Sequence, residues 1–119
     1  ILQAADVLAH PHRSGPAATF TSPLKLFDYL ASGTPIVATR IPSLDDWALA
    51  PQIAAWCAPD ESSAFAKTLG QVLTSHTRPS GGFAANPESL QPYSWEARIQ
   101  TILSHVDAQY RPQPQGATR

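Results

Sequence analysis

Methionine is absent from the 119-residue chain, and cysteine occurs once. A lone cysteine, Cys57, closes no internal disulfide, which excludes the disulfide-stapled scaffolds and suits a reducing compartment. Charge is scarce: Asp, Glu, Lys and Arg make up 14% of the residues, against about a quarter in ordinary globular chains. The formal net charge is −1, so there is no electrostatic footprint for nucleic acid or for an anionic membrane surface. No apolar run approaches the roughly 20 residues that span a bilayer, and no basic-then-apolar leader opens the chain. Internal repeats and blocks of like charge are missing too. A translated chain begins with Met, whereas this one begins at Ile1 in a stretch that reads as a helix end or loop running into a strand. The sequence is therefore expected to be the C-terminal part of a longer protein.

What is present is 43% hydrophobic residues, enough for the modest core of one domain. The chain is organised around residues 21–39. Ser22 is an N-cap by residue type, and Pro23 fits the first helical position, where its missing N–H costs nothing. Leu24, Phe27, Leu30 and Ala31 recur at helical spacing as one apolar stripe. Gly33 falls where a left-handed C-cap is wanted, and Pro35 stops the helix. Ile36-Val37-Ala38 then reads as a strand buried on both faces.

Chemistry gathers at the start of that helix. The first-turn amides of Leu24 and Lys25 lack intrahelical partners, and the positive end of the helix dipole lies behind them, which makes an anion site. Lys25 adds a full charge. Asp28, three residues on, shares its face, and a carboxylate suits a pair of sugar hydroxyls. Phosphate donors and a hydroxyl acceptor one turn apart fit a nucleoside diphosphate. On helix physics alone a second reading stands beside this one: a capped core helix with a surface Lys25–Asp28 pair worth at most about 0.5 kcal/mol.

The remaining elements alternate. Ala5–Pro11 reads as a short buried strand, and residues 12–21 as a loop around Ser14-Gly15-Pro16. In a doubly wound sheet, ligands lie beyond the carboxyl ends of the strands, which puts this loop, with His10, His12 and Arg13, beside the site. Arg13 is a candidate phosphate contact. His10 and His12 are spaced like a metal pair, but no third ligand is evident, so no metal is expected. Ser43 is expected to cap a short helix over 44–49, with Asp45 and Asp46 in its first turn; capping explains those carboxylates without catalysis. Gln52–Ala58 reads as a strand in which Cys57 is a small buried hydrophobe. Pro59-Asp60-Glu61 opens a helix to about Ser75 whose core stripe is Ala64, Phe65, Thr68, Leu69, Val72 and Leu73. Residues 76–92 read as loop. A helix capped by Ser94 runs to about Tyr110, and residues 112–119 read as a disordered tail. The fold class expected is α/β, a Rossmann-like partial parallel sheet flanked by helices, occupying residues 1–111.

The run Ser22-Pro23-Leu24-Lys25-Leu26-Phe27-Asp28-Tyr29-Leu30-Ala31-Ser32-Gly33-Thr34-Pro35-Ile36-Val37-Ala38-Thr39 closely resembles the donor-site segment of retaining glycosyltransferases of the GT-B fold, family 4 (glycosyl transferases group 1). The usual form there is Pro-Leu-Lys-(apolar)-(aromatic)-Glu-Tyr-(apolar)-Ala-(small)-Gly-x-Pro-(apolar)-Val-Ala-Thr. Ala5-Asp6-Val7-Leu8 and Tyr93-Ser94-Trp95-Glu96-Ala97-Arg98 are also similar to the family. Two departures stand out: Asp28 replaces the usual Glu, and Phe20 occupies the position where many members carry a second Glu that contacts the donor sugar.

The resemblance implies that the chain is the C-terminal, donor-binding part of an enzyme moving a sugar from a nucleotide-sugar to an acceptor hydroxyl with retention. It assigns the ribose to Asp28 and the diphosphate to Ser22, Leu24 and Lys25, with Arg13 and Thr21 as loop contacts and Arg40 near the site. It implies no cofactor and no required metal, and an N-terminal acceptor domain upstream, with an Arg and Lys pair for the donor phosphates. The last helix would cross back to that domain. Cytoplasmic localisation follows, at the inner face of a membrane, with peripheral association through the missing domain. The alternatives are a non-catalytic nucleotide-binding module and the partner half of a split glycosyltransferase.

Overall fold

The run Ile36–Thr39, with all four residues buried, is the middle strand of the sheet in the computed structural model of the chain. The structure describes residues 1–20, 24–48 and 50–110. Strands β1 (Leu8–His10), β2 (Ile36–Thr39) and β3 (Ile53–Cys57) form a parallel three-stranded sheet in the order β1-β2-β3. β1 pairs in plain register, Leu8 opposite Ile36 and His10 opposite Ala38. An irregularity between Ile36 and Val37 shifts the β2–β3 register, so that Ile36 faces Ile53 and Val37 faces Ala55. The expected α/β architecture is present, a three-stranded parallel sheet flanked by helices.

Parallel neighbours need crossover connections. Between β1 and β2 the chain forms α1 (Pro16–Phe20) and α2 (Leu24–Ser32). Helix α1 falls where a loop was expected. Gly15, at φ 139°, turns the chain into it, and the Ala18 N–H donates to the Gly15 carbonyl at 3.0 Å. Ala18 is its one buried residue. Of the stripe expected from spacing, Leu30 is buried and Phe27 partly so, and helix α2 adds Leu26 to the buried face in place of Leu24 and Ala31. Leu24 is 73% exposed, and Ala31 is exposed too. Leu26 and Leu30 are four residues apart and so project from one face, with Phe27 and Tyr29 packed at its flanks. Full burial of each leucine is worth about 1.5–3 kcal/mol.

The turn after α2 is tightly specified. Gly33 adopts φ 77°, the left-handed conformation expected of a C-cap. The Ser32 hydroxyl donates to the Tyr29 carbonyl at 2.6 Å, and the buried Thr34 hydroxyl donates to the Leu2 carbonyl at 2.8 Å. A Cβ at position 33 would lie 2.3 Å from the Ala84 carbonyl carbon.

Past β2, residues 42–47 form a 3-10 turn headed by Pro42, not an α-helix capped by Ser43. The Ser43 hydroxyl is buried without a partner, and no side chain caps the turn. Pro42 suits the first position, so Ile41 becomes the N-cap. The turn inserts Leu44 and Trp47 into the core. Helix α3 (Ser62–Ser75) follows β3, as expected, with no acidic residue in its first turn. Of its expected stripe only Val72 is buried; it packs with Val37 and Cys57, while Phe65 and Leu69 are partly covered and Leu73 is 47% exposed. The buried thiol of Cys57 is as expected.

The stretch expected as loop, 76–92, contains α4 (Pro87–Leu90), capped by Asn86 through the Glu88 N–H, and a 3-10 turn over Gln91–Tyr93. Tyr93 stacks on Trp47 at 4.8 Å, and Trp47 meets Phe27 edge-on at 4.7 Å. This aromatic ladder ties α2 to the segment before the last helix. Helix α5 (Trp95–Tyr110) is capped as expected, the Ser94 hydroxyl accepting from the Ala97 N–H at 3.1 Å. It buries nothing: Trp95, Ile99, Ile102, Leu103 and Val106 are 45–78% exposed. Its contacts with the rest of the described chain are chiefly with the 3-10 turn that precedes it. The expected tail, 112–119, lies outside the described residues.

Gly33→Ala combines a left-handed backbone with a collision against backbone atoms that cannot swing aside. Thermal or denaturant unfolding is expected to show a loss of about 3 kcal/mol or more. A variant as stable as the wild type would show that the turn is not rigid.

Candidate functional site

Because β1 and β2 are parallel, the helix between them must start at the carboxyl edge of the sheet. The N-terminal end of α2 therefore lies on the edge formed by His10, Thr39 and Cys57, where doubly wound sheets bind ligands. Leu24 and Lys25 head the helix, with Asp28 one turn on; all three are exposed. The amides of a helix's first turn have no intrahelical acceptor, and the dipole makes that end positive. Among the described residues the ion pairs are Arg13–Asp60 and Arg78–Asp6. Lys25 and Asp28 thus form no pair with each other, and both remain open to a ligand. Thr21 and Ser22 lie outside the described residues.

His10 closes β1 beneath this helix. Its ring is 4.5 Å from that of His12 and meets Tyr29 of α2 edge-on at 6.2 Å. The residue is buried, and Nδ1 has no hydrogen-bond partner. Burial first, then the positive charges of His12 and Lys25, holds His10 below the ordinary imidazole range. His10 is therefore neutral near pH 7, adding no charge beside Lys25. The structure brings His10 and His12 together but supplies no third ligand: no group of three or more His, Cys, Asp or Glu that could hold a metal occurs among the described residues.

A cleft of about 590 Å³ opens farther along the same edge, between Pro11–Arg13, Thr39 and the start of α3, with Phe65 and Leu69 as its apolar wall. Neither Lys25 nor Asp28 lines it. Arg13 is on its rim, with Nε 3.8 Å from an Asp60 oxygen. Arg40 points to β3 and lies over the Trp56 ring at 5.2 Å. A second recess, about 460 Å³, lies against Leu24 and Phe27, with Tyr93, Trp95 and Arg98 opposite. Nothing in the local sequence marks Asp60 as part of this edge. It stands just ahead of α3, where an acid reads as a helix-start residue, and its actual partners are 46 residues away.

The sequence profile of the family described as glycosyl transferases group 1 matches residues 1–75, well over half of the chain. The chain belongs to that family. No curated protein and no solved structure matches it significantly. The match to group 1 glycosyltransferases runs from the start of the chain through β1, α2, β2 and β3 to the end of α3. It thus contains the whole carboxyl edge of the sheet, with Lys25, Asp28 and Asp60, and leaves out α4 and α5. A glycosyltransferase-type function follows for the domain. No helix among the described residues is long and apolar enough to cross a membrane.

The neutral, buried state of His10 has a pH signature. Its folded pKa is depressed, so the unfolded chain binds the proton more tightly, and stability rises with pH. The contribution is whole above the unfolded value near 6.5 and is lost as pH falls below it. A thermal-unfolding series from about pH 8 to about pH 5 is expected to show the melting temperature dropping below about pH 6.5. The drop is expected to shrink in His10→Asn. An unchanged profile in that variant would remove His10 as its source.

Proposed function

We propose that this group 1 glycosyltransferase domain is the donor-binding part of a GT-B enzyme that moves a sugar from a nucleotide-sugar to an acceptor hydroxyl with retention of configuration. The observation that carries the reading is the exposed Lys25 and Asp28, one turn apart at the positive end of α2, on the carboxyl edge of a parallel sheet. The first-turn amides and the Lys25 ammonium would hold the diphosphate and stabilise the negative charge that grows on it as the glycosidic bond to the sugar breaks. Asp28 would accept hydrogen bonds from the ribose hydroxyls and so fix the register of the sugar. Asp28 is one methylene shorter than the usual Glu, so the ribose would sit closer to the helix axis. These fixed dipoles and the lysine supply the electrostatic work without a metal, and no cofactor is needed beyond the donor itself.

The exposed apolar stripe of α5 favours a further folded unit that covers it, either the acceptor domain of the same polypeptide or the other half of a split enzyme. In both cases the 119 residues alone are expected to bind donor nucleotide without turning it over. Membrane association, where it occurs, would belong to that acceptor unit.

Calorimetric titration of the chain with UDP, GDP and ADP tests the site. One nucleotide is expected to bind. Lys25→Ala and Asp28→Ala are each expected to weaken it by about ten- to a hundredfold, the loss of a charge-assisted hydrogen bond. Affinity unchanged in both variants would overturn the assignment.

A further inference from the structure

Asp60 is the only non-glycine residue with positive φ, 65°, among those described. The left-handed region is uncommon for any residue but glycine, with Asp and Asn paying the smallest penalty there, and the conformation persists where surrounding contacts enforce it. An aspartate directly ahead of a helix ordinarily turns its carboxylate onto the first-turn amides; Asp60 stands one residue further back, two ahead of α3. Glu61 is the N-cap of α3, and no side chain caps the helix. Instead the Asp60 carboxylate reaches back to the loop after β1. It accepts from the Ser14 backbone N–H, 3.3 Å from each oxygen, and from the Ser14 hydroxyl, and the Arg13 guanidinium stands 3.8 Å away. The Ser14 hydroxyl bond holds the Asp60 carboxyl below the usual carboxylate range.

The same loop is tied at its other end. The His12 N–H donates to the Thr39 hydroxyl at 2.7 Å, so His12 is pinned to the end of β2 and Ser14 to the end of β3. One residue before this pinned stretch is Pro11, and before it His10, whose ring rests on Tyr29 of α2 and feels the Lys25 charge. Thus the β3–α3 junction, the loop after β1 and the first turns of α2 form one connected strip along the carboxyl edge.

We infer that Asp60 is a positioning residue for the diphosphate site, fixing the course of the loop that leads from β1 into α1, on the carboxyl edge beside α2, by holding Arg13 and Ser14. The inference rests on the donor-site reading and adds to it a residue from the far side of the sheet. Asp60 touches no nucleotide; it acts by limiting the conformations of the loop, and binding to a preorganised loop wastes less free energy on ordering.

Asp60→Gly separates positioning from stability, because it removes the carboxylate and relieves the left-handed backbone penalty at once. Its melting temperature is expected to equal or exceed that of the wild type. The Ser14 amide is expected to exchange faster with solvent, and affinity for the nucleotide that the wild type binds among UDP, GDP and ADP to fall about five- to tenfold. Asp60→Asn keeps an amide oxygen for the Ser14 N–H and tolerates the left-handed backbone, so it is expected to recover part of both the protection and the affinity. Wild-type affinity in Asp60→Gly overturns the inference, as does a weaker affinity matched by a lower melting temperature that Asp60→Asn fails to restore. If the wild type binds and Lys25→Ala does not, while Asp60→Gly still does, only the positioning role falls. If the wild type binds none of the three nucleotides, the donor reading falls and this inference with it.

Discussion

Because β2 is buried on both faces and has a parallel strand on each side, the chain can reach it only by crossing over a helix from the far edge of the sheet. That crossover is what delivers the start of α2 to the carboxyl edge. The turn that closes it has little freedom: Gly33 is left-handed with the Ala84–Ala85 backbone against it, and Thr34 is buried and bonded to Leu2. Leu26 and Leu30 then fix the roll of α2 on the sheet. With turn and roll both set, Lys25 and Asp28 are held on the exposed face of α2 at the carboxyl edge. A site that depends on one lysine, one aspartate and a few amides gains from that rigidity, since a misplaced group loses much of its effect.

The same edge explains why so few charges suffice. The chain carries eight basic and nine acidic residues in all, and two of the pairs are spent on its own structure, Arg13–Asp60 and Arg78–Asp6. Lys25 is left open, and its neighbour His10 is kept neutral by burial. Positive potential for an anion thus comes from a helix end and one ammonium rather than from a basic patch. That fits a small, doubly charged ligand group and not a polyanion.

The middle of the fold was legible in the sequence because several local signals agreed there. The apolar run of β2, the glycine and proline around the α2–β2 turn and the long patterned stretches of α3 and α5 all pointed one way. Ser94 capped α5 as its residue type suggests. Failures came where a short segment is decided by tertiary contacts. Leu24 and Leu26 are equally apolar, and only packing decides that Leu26 goes inside while Leu24 faces the recess beside Tyr93 and Trp95. Pro42, which suits the first position, starts its turn instead of Ser43, and Trp47 at the turn's end joins the aromatic ladder. Helices α1 and α4, each a turn or so long, have no periodicity to read. The lysine and aspartate of the proposed site were readable from helix spacing; the tie from Asp60 to Ser14 was not, since nothing local marks a contact 46 residues distant.

The claim at the centre is that the first turn of α2 receives a diphosphate, and amide chemical shifts test it most directly. Titrating the isotopically labelled chain with UDP, GDP and ADP should move the backbone amides of Leu24 and Lys25 most for the nucleotide that binds, with a smaller change near Asp28. Shifts confined to the cleft beside Arg13, Asp60 and Phe65, with Leu24 and Lys25 unmoved, would contradict it and put the nucleotide on the other side of the sheet's edge.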